Sequence, residues 1–362
     1  MLTVLSICCF RLLVGHIKGV RLAFSMREKR KNISFKQGDL PLDKLLALKG
    51  EHLTIPADKI LELCDSWCQV VQLPEGGIGI GGESEQYRLL RNGVQFHELD
   101  YDGLKATITG LSKVLLLPGL NTVVDQDHFG LWSWCAEIIL SRESEVFEDN
   151  EYELRKLFET CVRASLAHCK KPAPSREEWD QQIQRDQLIP HNAKFFIQES
   201  GLALAYLVFP LLEGICKKLC FEFISMDGRV VRSFSVPTKN GGTKDYDPNG
   251  RWNQKQCSSL RDLLFLTLDQ YPSPEFELLR QHISLLDSEG DPFDVIYKWR
   301  NQSLHGSTSF QTIGGTLLNI AMFLLVISFE HRYDDSRLPV LENCRRNSES
   351  DNRSPWSYYP PY

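Results

Sequence analysis

The sequence predicts a mainly helical protein, with a smaller α+β region ahead of a helical bundle that carries one β-hairpin. Three observations lead there. Apolar residues recur at helical spacing through most of the chain between residues 152 and 335. The stretch "IGGTLLNIAMFLLVISF" (313 to 329) is apolar on every face, as the central helix of a bundle is. Alternation of apolar and polar residues is confined to "FEFISMDGRVVRSFSV" (221 to 236), where Asp227-Gly228 reads as the turn of a hairpin inserted among helices.

Composition narrows the function classes. The 362 residues leave room for more than one domain. Lys and Arg total 41 against 47 for Asp and Glu, a formal charge of −6. A bulk polyanion binder is therefore not expected, and any nucleic-acid contact must come from a local patch. The 11 cysteines are scattered; Cys8 with Cys9, Cys64 with Cys68, and Cys216 with Cys220 are the close pairs. None is a C-x-x-C and none has a second pair at zinc-site spacing, so buried thiols in a reducing, cytoplasmic setting are expected, with no metal and no cofactor.

In chain order, residues 1 to 25 are apolar but carry Arg11, His16, Lys18 and Arg21, which suits neither a spanning helix nor a signal peptide. Met26 opens "MREKRKN" and reads as an alternative start, so residues 1 to 40 are expected to be a disordered or mis-annotated extension. Residues 41 to 148 form the α+β region. Within it, 57 to 68 is helical, 69 to 73 is a short strand, and "PEGGIGIGGESE" (74 to 85) is a loop or hairpin. Gly77, Gly79 and Gly82 fit the dinucleotide pattern G-x-G-x-x-G, but no helix is set to begin after them. Helical or mixed segments follow at 104 to 119 and 128 to 143. The acidic run "ESEVFEDNEYE" (143 to 153) then marks a domain boundary near residues 145 to 150.

The second domain is expected over residues 149 to 335. It opens with a helix over 152 to 170 and a proline-containing break with Ser175 as a helix cap. A long apolar helix over 191 to 220 is expected to kink at Pro210. After the hairpin, 237 to 251 is a loop, and helices occupy about 257 to 270, 274 to 285 and 291 to 300. The apolar run from 311 to 331 is expected to be a buried helix rather than a membrane span. Residues 342 to 362, polar and proline-containing, are expected to be a disordered tail.

Between the last two helices stands "YKWRNQSLHGSTSF" (297 to 310). Arginine supplies a permanent planar charge matched to phosphate oxygens, and histidine takes and gives a proton near neutral pH. Arg300 and His305 are five residues apart, roughly 140° on a continuous helix. They converge only if the helix ends near Arg300, and the cap-forming residues Gly306 to Ser309 predict such a break. Asn301 stands beside them to orient the imidazole or to donate to phosphate. The bland alternative is a pair of side chains capping the end of a helix.

"RNQSLHG" (300 to 306) has the form R-N-x-x-x-H placed just before an apolar terminal helix, and in both respects the region from about 150 to 335 resembles the HEPN domain family. The resemblance implies a compact all-helical domain and, in its active branch, a metal-independent endoribonuclease. Such an enzyme cuts single-stranded RNA by attack of the 2′-OH, as a homodimer whose two motifs face one cleft, often as a toxin or defence component with an antitoxin or regulatory partner. It implies Arg300 and His305 as catalytic residues, assisted by Asn301 and by an acidic position on an earlier helix. Glu213, in "FPLLEGICKK", is the candidate, with Arg300 as its expected partner. The hairpin insertion at 221 to 256 departs from the compact family pattern. Other members of the family are non-catalytic scaffolds or binding modules.

Lesser candidates read as structure. Asp125, Asp127 and His128 lack a further metal ligand, His168 and Cys169 are merely adjacent, Trp132 and Trp134 are core or interface, and "REKRKN" (27 to 32) is a short basic terminus.

Overall fold

The structure, a computed structural model, describes residues 70–72, 78–80, 96–115, 121–167, 176–284, 290–306, 310–349 and 358–359. They all fall within one unit, Leu48–Tyr362. Residues 1 to 40, the helix expected over 57 to 68, and His168 with Cys169 lie outside the described residues.

The chain is mainly helical. Strands β1 (Val70–Gln72) and β2 (Ile78–Ile80) pair antiparallel, with Val71 opposite Gly79. Gly79 thus sits inside a strand rather than in a phosphate loop. Helices α1 (Tyr101–Leu115), α2 (Asn121–Leu140) and α3 (Tyr152–Leu166) follow, then α4 (Arg176–Leu188), α5 (His191–Gln198) and α6 (Ser200–Leu219). A second hairpin, β3 (Phe234–Pro237) and β4 (Thr243–Tyr246), precedes α7 (Leu260–Gln270), α8 (Pro274–Ile283) and α9 (Pro292–Leu304). Helices α10 (Phe310–Ile327) and α11 (Glu330–Glu349) end the bundle.

Helix α10 is its axle. Leu317 to Val326 are buried on every side, which accounts for the apolar run. Among the described residues, no single helix is long and apolar enough to cross a membrane. Two pairs pass the length and composition test only together, and they are bent by 52° and 100°. Helix α6 lies so close to α10 that a Cβ at Gly314 would come within 3.1 Å of the Ala205 backbone nitrogen. Inside this apolar contact surface Asn319 is fully buried. It donates to the Ile108 carbonyl of α1 at 2.8 Å and accepts from the Trp132 indole of α2 at 3.3 Å. Trp134 is likewise core and donates to the Tyr333 hydroxyl of α11. Helices α1 and α2 therefore belong to the same core as α3, α6 and α10, so residues 99 to 148 share one core with the C-terminal bundle.

Several expectations need correction. The bend in the 191 to 220 stretch falls at Glu199, between α5 and α6, while α6 continues through Pro210. Pro210 has no N–H to give to the Tyr206 carbonyl one turn back. Both residues lie on the exposed face, where water can serve instead. The main hairpin pairs around Thr238 to Gly242, a stretch expected to be loop, with Gly241 at φ +78°. At Asp227-Gly228 there is a turn, with Gly228 at φ +86°, but only the single bridge Ile224–Val230. Val230 N–H instead donates to the Lys255 carbonyl, which draws the chain away from a second strand.

The tail expected to be disordered is partly ordered. Helix α11 runs to Glu349 and buries Val340, Leu341 and Cys344. Beyond it, Tyr358 and Tyr359 are buried against α2 and α3, and both of their backbone N–H groups donate to one oxygen of Glu137. The Tyr359 ring meets Trp134 edge-on, with ring centres 5.2 Å apart, and its hydroxyl bonds His97 Nδ1 at 2.8 Å.

Candidate active site

Helix α9 carries the R-N-x-x-x-H motif and is fixed at both ends. Pro292 occupies its first turn and the Asp291 carboxylate accepts from the Phe293 N–H at 2.8 Å, a local start signal. Arg261 of α7 then joins α9 to the hairpin, contacting Asp294 at 2.5 Å and the Pro237 carbonyl at 2.6 Å. The hairpin is held in turn by Asp262, which accepts from Tyr246 at 2.7 Å and from Lys244 at 2.9 Å. Burial raises the Tyr246 phenol far above its ordinary value, with Cys257 and Asp262 adding to that shift, so the phenol stays a proton donor to the carboxylate.

The helix does not end at Arg300. Ile296, Trp299 and Ser303 are buried, and Ser303 donates to the Arg300 carbonyl at 2.7 Å, so packing carries the helix past Arg300 and it runs to Leu304. His305 is the C-cap residue, and Gly306 at φ +71° supplies the left-handed stop, its N–H donating to the Ser303 carbonyl. The break expected after Arg300 therefore falls four residues later, after Leu304. On an ideal helix five residues would set Arg300 and His305 roughly 140° apart, and no hydrogen bond or ring contact joins the two side chains in one copy.

What one copy does bring together is Arg300 and Glu213. The guanidinium Nη2 lies 3.8 Å from Glu213 Oε2, across the contact between α9 and α6, with both side chains partly exposed. The other Glu213 oxygen accepts from Lys217 one turn on, at 2.8 Å. Glu213 is thus shared by two cations, and its second oxygen fixes where the Arg300 fork can swing. Asn301 is half-buried beside Arg300, while Leu304, His305 and Gly306 are exposed. The His305 ring has no hydrogen bond to another described residue; its backbone N–H donates to the Gln302 carbonyl. A guanidinium, an amide and an open imidazole thus follow one another along the end of one rigid helix.

Sequence reasoning missed one Ser–His contact. Ser112 Oγ of α1 lies 2.6 Å from His282 Nδ1 of α8, but both residues are buried. The serine proton is already given to the Thr109 carbonyl at 2.6 Å. The contact ties two helices together and presents no nucleophile to solvent. The side chains of Asp125, Asp127 and His128 lie outside the described residues. Comparison with protein-family models, with curated proteins and with solved structures finds no match for this chain.

Proposed function

We propose that this protein is a metal-independent endoribonuclease of the HEPN type, acting on single-stranded RNA as a homodimer. The observation that carries the reading is the end of α9. Arg300 is steered by Glu213 from α6, and His305 stands uncovered at the C-cap, on a mainly helical scaffold with a buried helix next in line. The guanidinium would bind the scissile phosphate and offset the charge that builds on it. The imidazole would take the 2′-OH proton as the 2′-oxygen attacks phosphorus and the bond to the 5′-oxygen breaks. The products are a 2′,3′-cyclic phosphate and a 5′-hydroxyl, the latter protonated from the imidazolium or water. Because the two side chains diverge within one copy, Arg300 of one protomer would act with His305 of the other. Asn301 would position the imidazole or the phosphate. A toxin or defence role, with an antitoxin or regulatory partner, follows from the same reading.

A second reading, a non-catalytic scaffold or ligand-binding module, is favoured by the compensation of Arg300 by Glu213, which leaves the motif electrostatically satisfied without substrate. The two separate on one experiment: a mixed single-stranded RNA pool incubated in EDTA with wild type, Arg300→Ala and His305→Ala. Cyclic-phosphate products from wild type that disappear in both variants support the ribonuclease. No cleavage by folded wild-type dimer supports the binding module.

A further inference from the structure

The acidic run at residues 143 to 153 has no part in the candidate active site. It lines a groove of about 990 Å³ bounded by the α2–α3 connection, the end of α6 with the turn after it, and the α10–α11 turn. Among its lining, Val146, Leu154, Leu219 and Phe329 are apolar and buried. Three large apolar side chains on the groove are left in solvent: Phe221 at 70% exposure, Tyr152 at 62% and Met226 at 53%. Exposed apolar side chains gathered on one concave surface mark an interaction site more often than scattered ones do.

The charge around this floor is one-sided. Glu145, Glu148, Glu151 and Glu153 line it, against the cations Lys218 and Arg332 and the imidazole of His331. Those two cations are already taken, Lys218 by Glu151 and Arg332 by Glu145. Glu148 and Glu153 are exposed and have no ion pair to another described residue. An apolar floor under a carboxylate rim repels RNA and anionic lipid. It matches a segment with an apolar face and basic flanks.

We propose that this groove is a docking site for a basic amphipathic segment of a partner protein. The segment seats apolar side chains at helical spacing against Phe221, Met226 and Tyr152, with its lysines or arginines on Glu148 and Glu153. The site is separate from Arg300 and His305 and needs neither of them. It is nevertheless close in the bonding pattern: the Met226 carbonyl accepts from Lys217, whose ammonium also holds Glu213.

The test is fluorescence anisotropy of a labelled, roughly 14-residue peptide of leucine and lysine, with leucines on one helical face, titrated with the full chain. A matched peptide carries glutamate for every lysine. The expected result is saturable binding of the basic peptide, at least about tenfold weaker for Glu148→Lys/Glu153→Lys and for Phe221→Ser/Met226→Ser. Phe221 and Met226 are exposed, so their serine variants should melt as wild type does; Glu148 and Glu153 stand at the start of α3, so their reversal should lower the melting temperature by a few degrees, and binding is read well below it. His305→Ala should bind as wild type does. The proposal is overturned by no binding to wild type, by equal affinity across the groove variants, or by equally tight binding of the glutamate peptide.

Discussion

The guanidinium of Arg300 stands 3.8 Å from the carboxylate of Glu213, and these two residues come from helices separated in sequence by the hairpin, α7 and α8. The pair is partly exposed, so its contribution to stability is about 0–1 kcal/mol. Its consequence for the proposed chemistry is larger, since it sets the direction of the fork. Glu213→Gln should leave the melting temperature within about 2 °C of wild type and lower RNA cleavage about tenfold. Arg300→Ala should lower cleavage by about 10²–10³. Parallel melting curves and single-turnover cleavage check both. A large loss of stability in Glu213→Gln would make the pair a structural element instead.

Asn319 is the polar centre of an otherwise apolar helix. Asn319→Ala would take the acceptor from the Trp132 indole N–H in the core, and the second donor from the Ile108 carbonyl, which keeps its bond within α1. A cost of about 1–3 kcal/mol is expected, read from the urea midpoint at unchanged m-value. Asn319→Leu fills the space but offers the Trp132 indole no acceptor either, so it should recover only part of the loss.

Burial holds the His97 imidazole below its ordinary value; Arg345 and Arg337 press the same way and Glu98 opposes them. In the folded protein His97 therefore binds a proton less readily than in the unfolded chain. Its contribution to stability is present above the ordinary histidine value of 6.5 and is lost as pH falls below it. The melting temperature should drop between pH 7.5 and pH 5.5. His97→Gln, which keeps a partner for the Tyr359 hydroxyl, should flatten that drop. An unchanged pH slope in the variant would remove His97 from the explanation.

The described thiols are protected. Burial pushes Cys220 and Cys257 up to about 11 and Cys161 to about 12, and raises Cys135 and Cys216 as well. Iodoacetamide at pH 7.5 should leave these five unmodified in the native protein and label all of them in guanidinium, as peptide mass spectrometry would show. Labelling of Cys216 or Cys220 before unfolding would mean that the α6–α7 contact opens locally.

The helices were legible because their signals are local. Ser259, Ser273 and Asp291 each cap the helix that follows, and proline stands in the first turn of α8 and α9. Glu213 was legible as the acidic partner of Arg300 because a carboxylate on a largely apolar helix needs one. The exact stop of α9 was not. Capping residues at 306 to 309 suit a break anywhere near, and burial of Trp299 and Ser303 decides it in favour of a longer helix. The tail was not legible either. Its composition is that of a disordered segment, and order comes from Glu137, 221 residues away in the chain, which offers one oxygen to two successive amides. Likewise Asp227-Gly228 looks the stronger turn in isolation, yet the ladder forms around Gly241, where β3 and β4 are anchored to α7 through Tyr246 and Lys244. In each case a partner remote in sequence overrode a local signal.

The return of Tyr358 and Tyr359 to α2 also orders events during synthesis. Glu137 leaves the ribosome 221 residues before Tyr358 does, an interval of about 10–45 s at ordinary elongation rates. Through that time Trp134 and its neighbours on α2 lack the aromatic cover they have in the finished molecule. On the nascent chain α2 thus carries Trp134 without the Tyr359 ring beside it until residues 358 and 359 emerge.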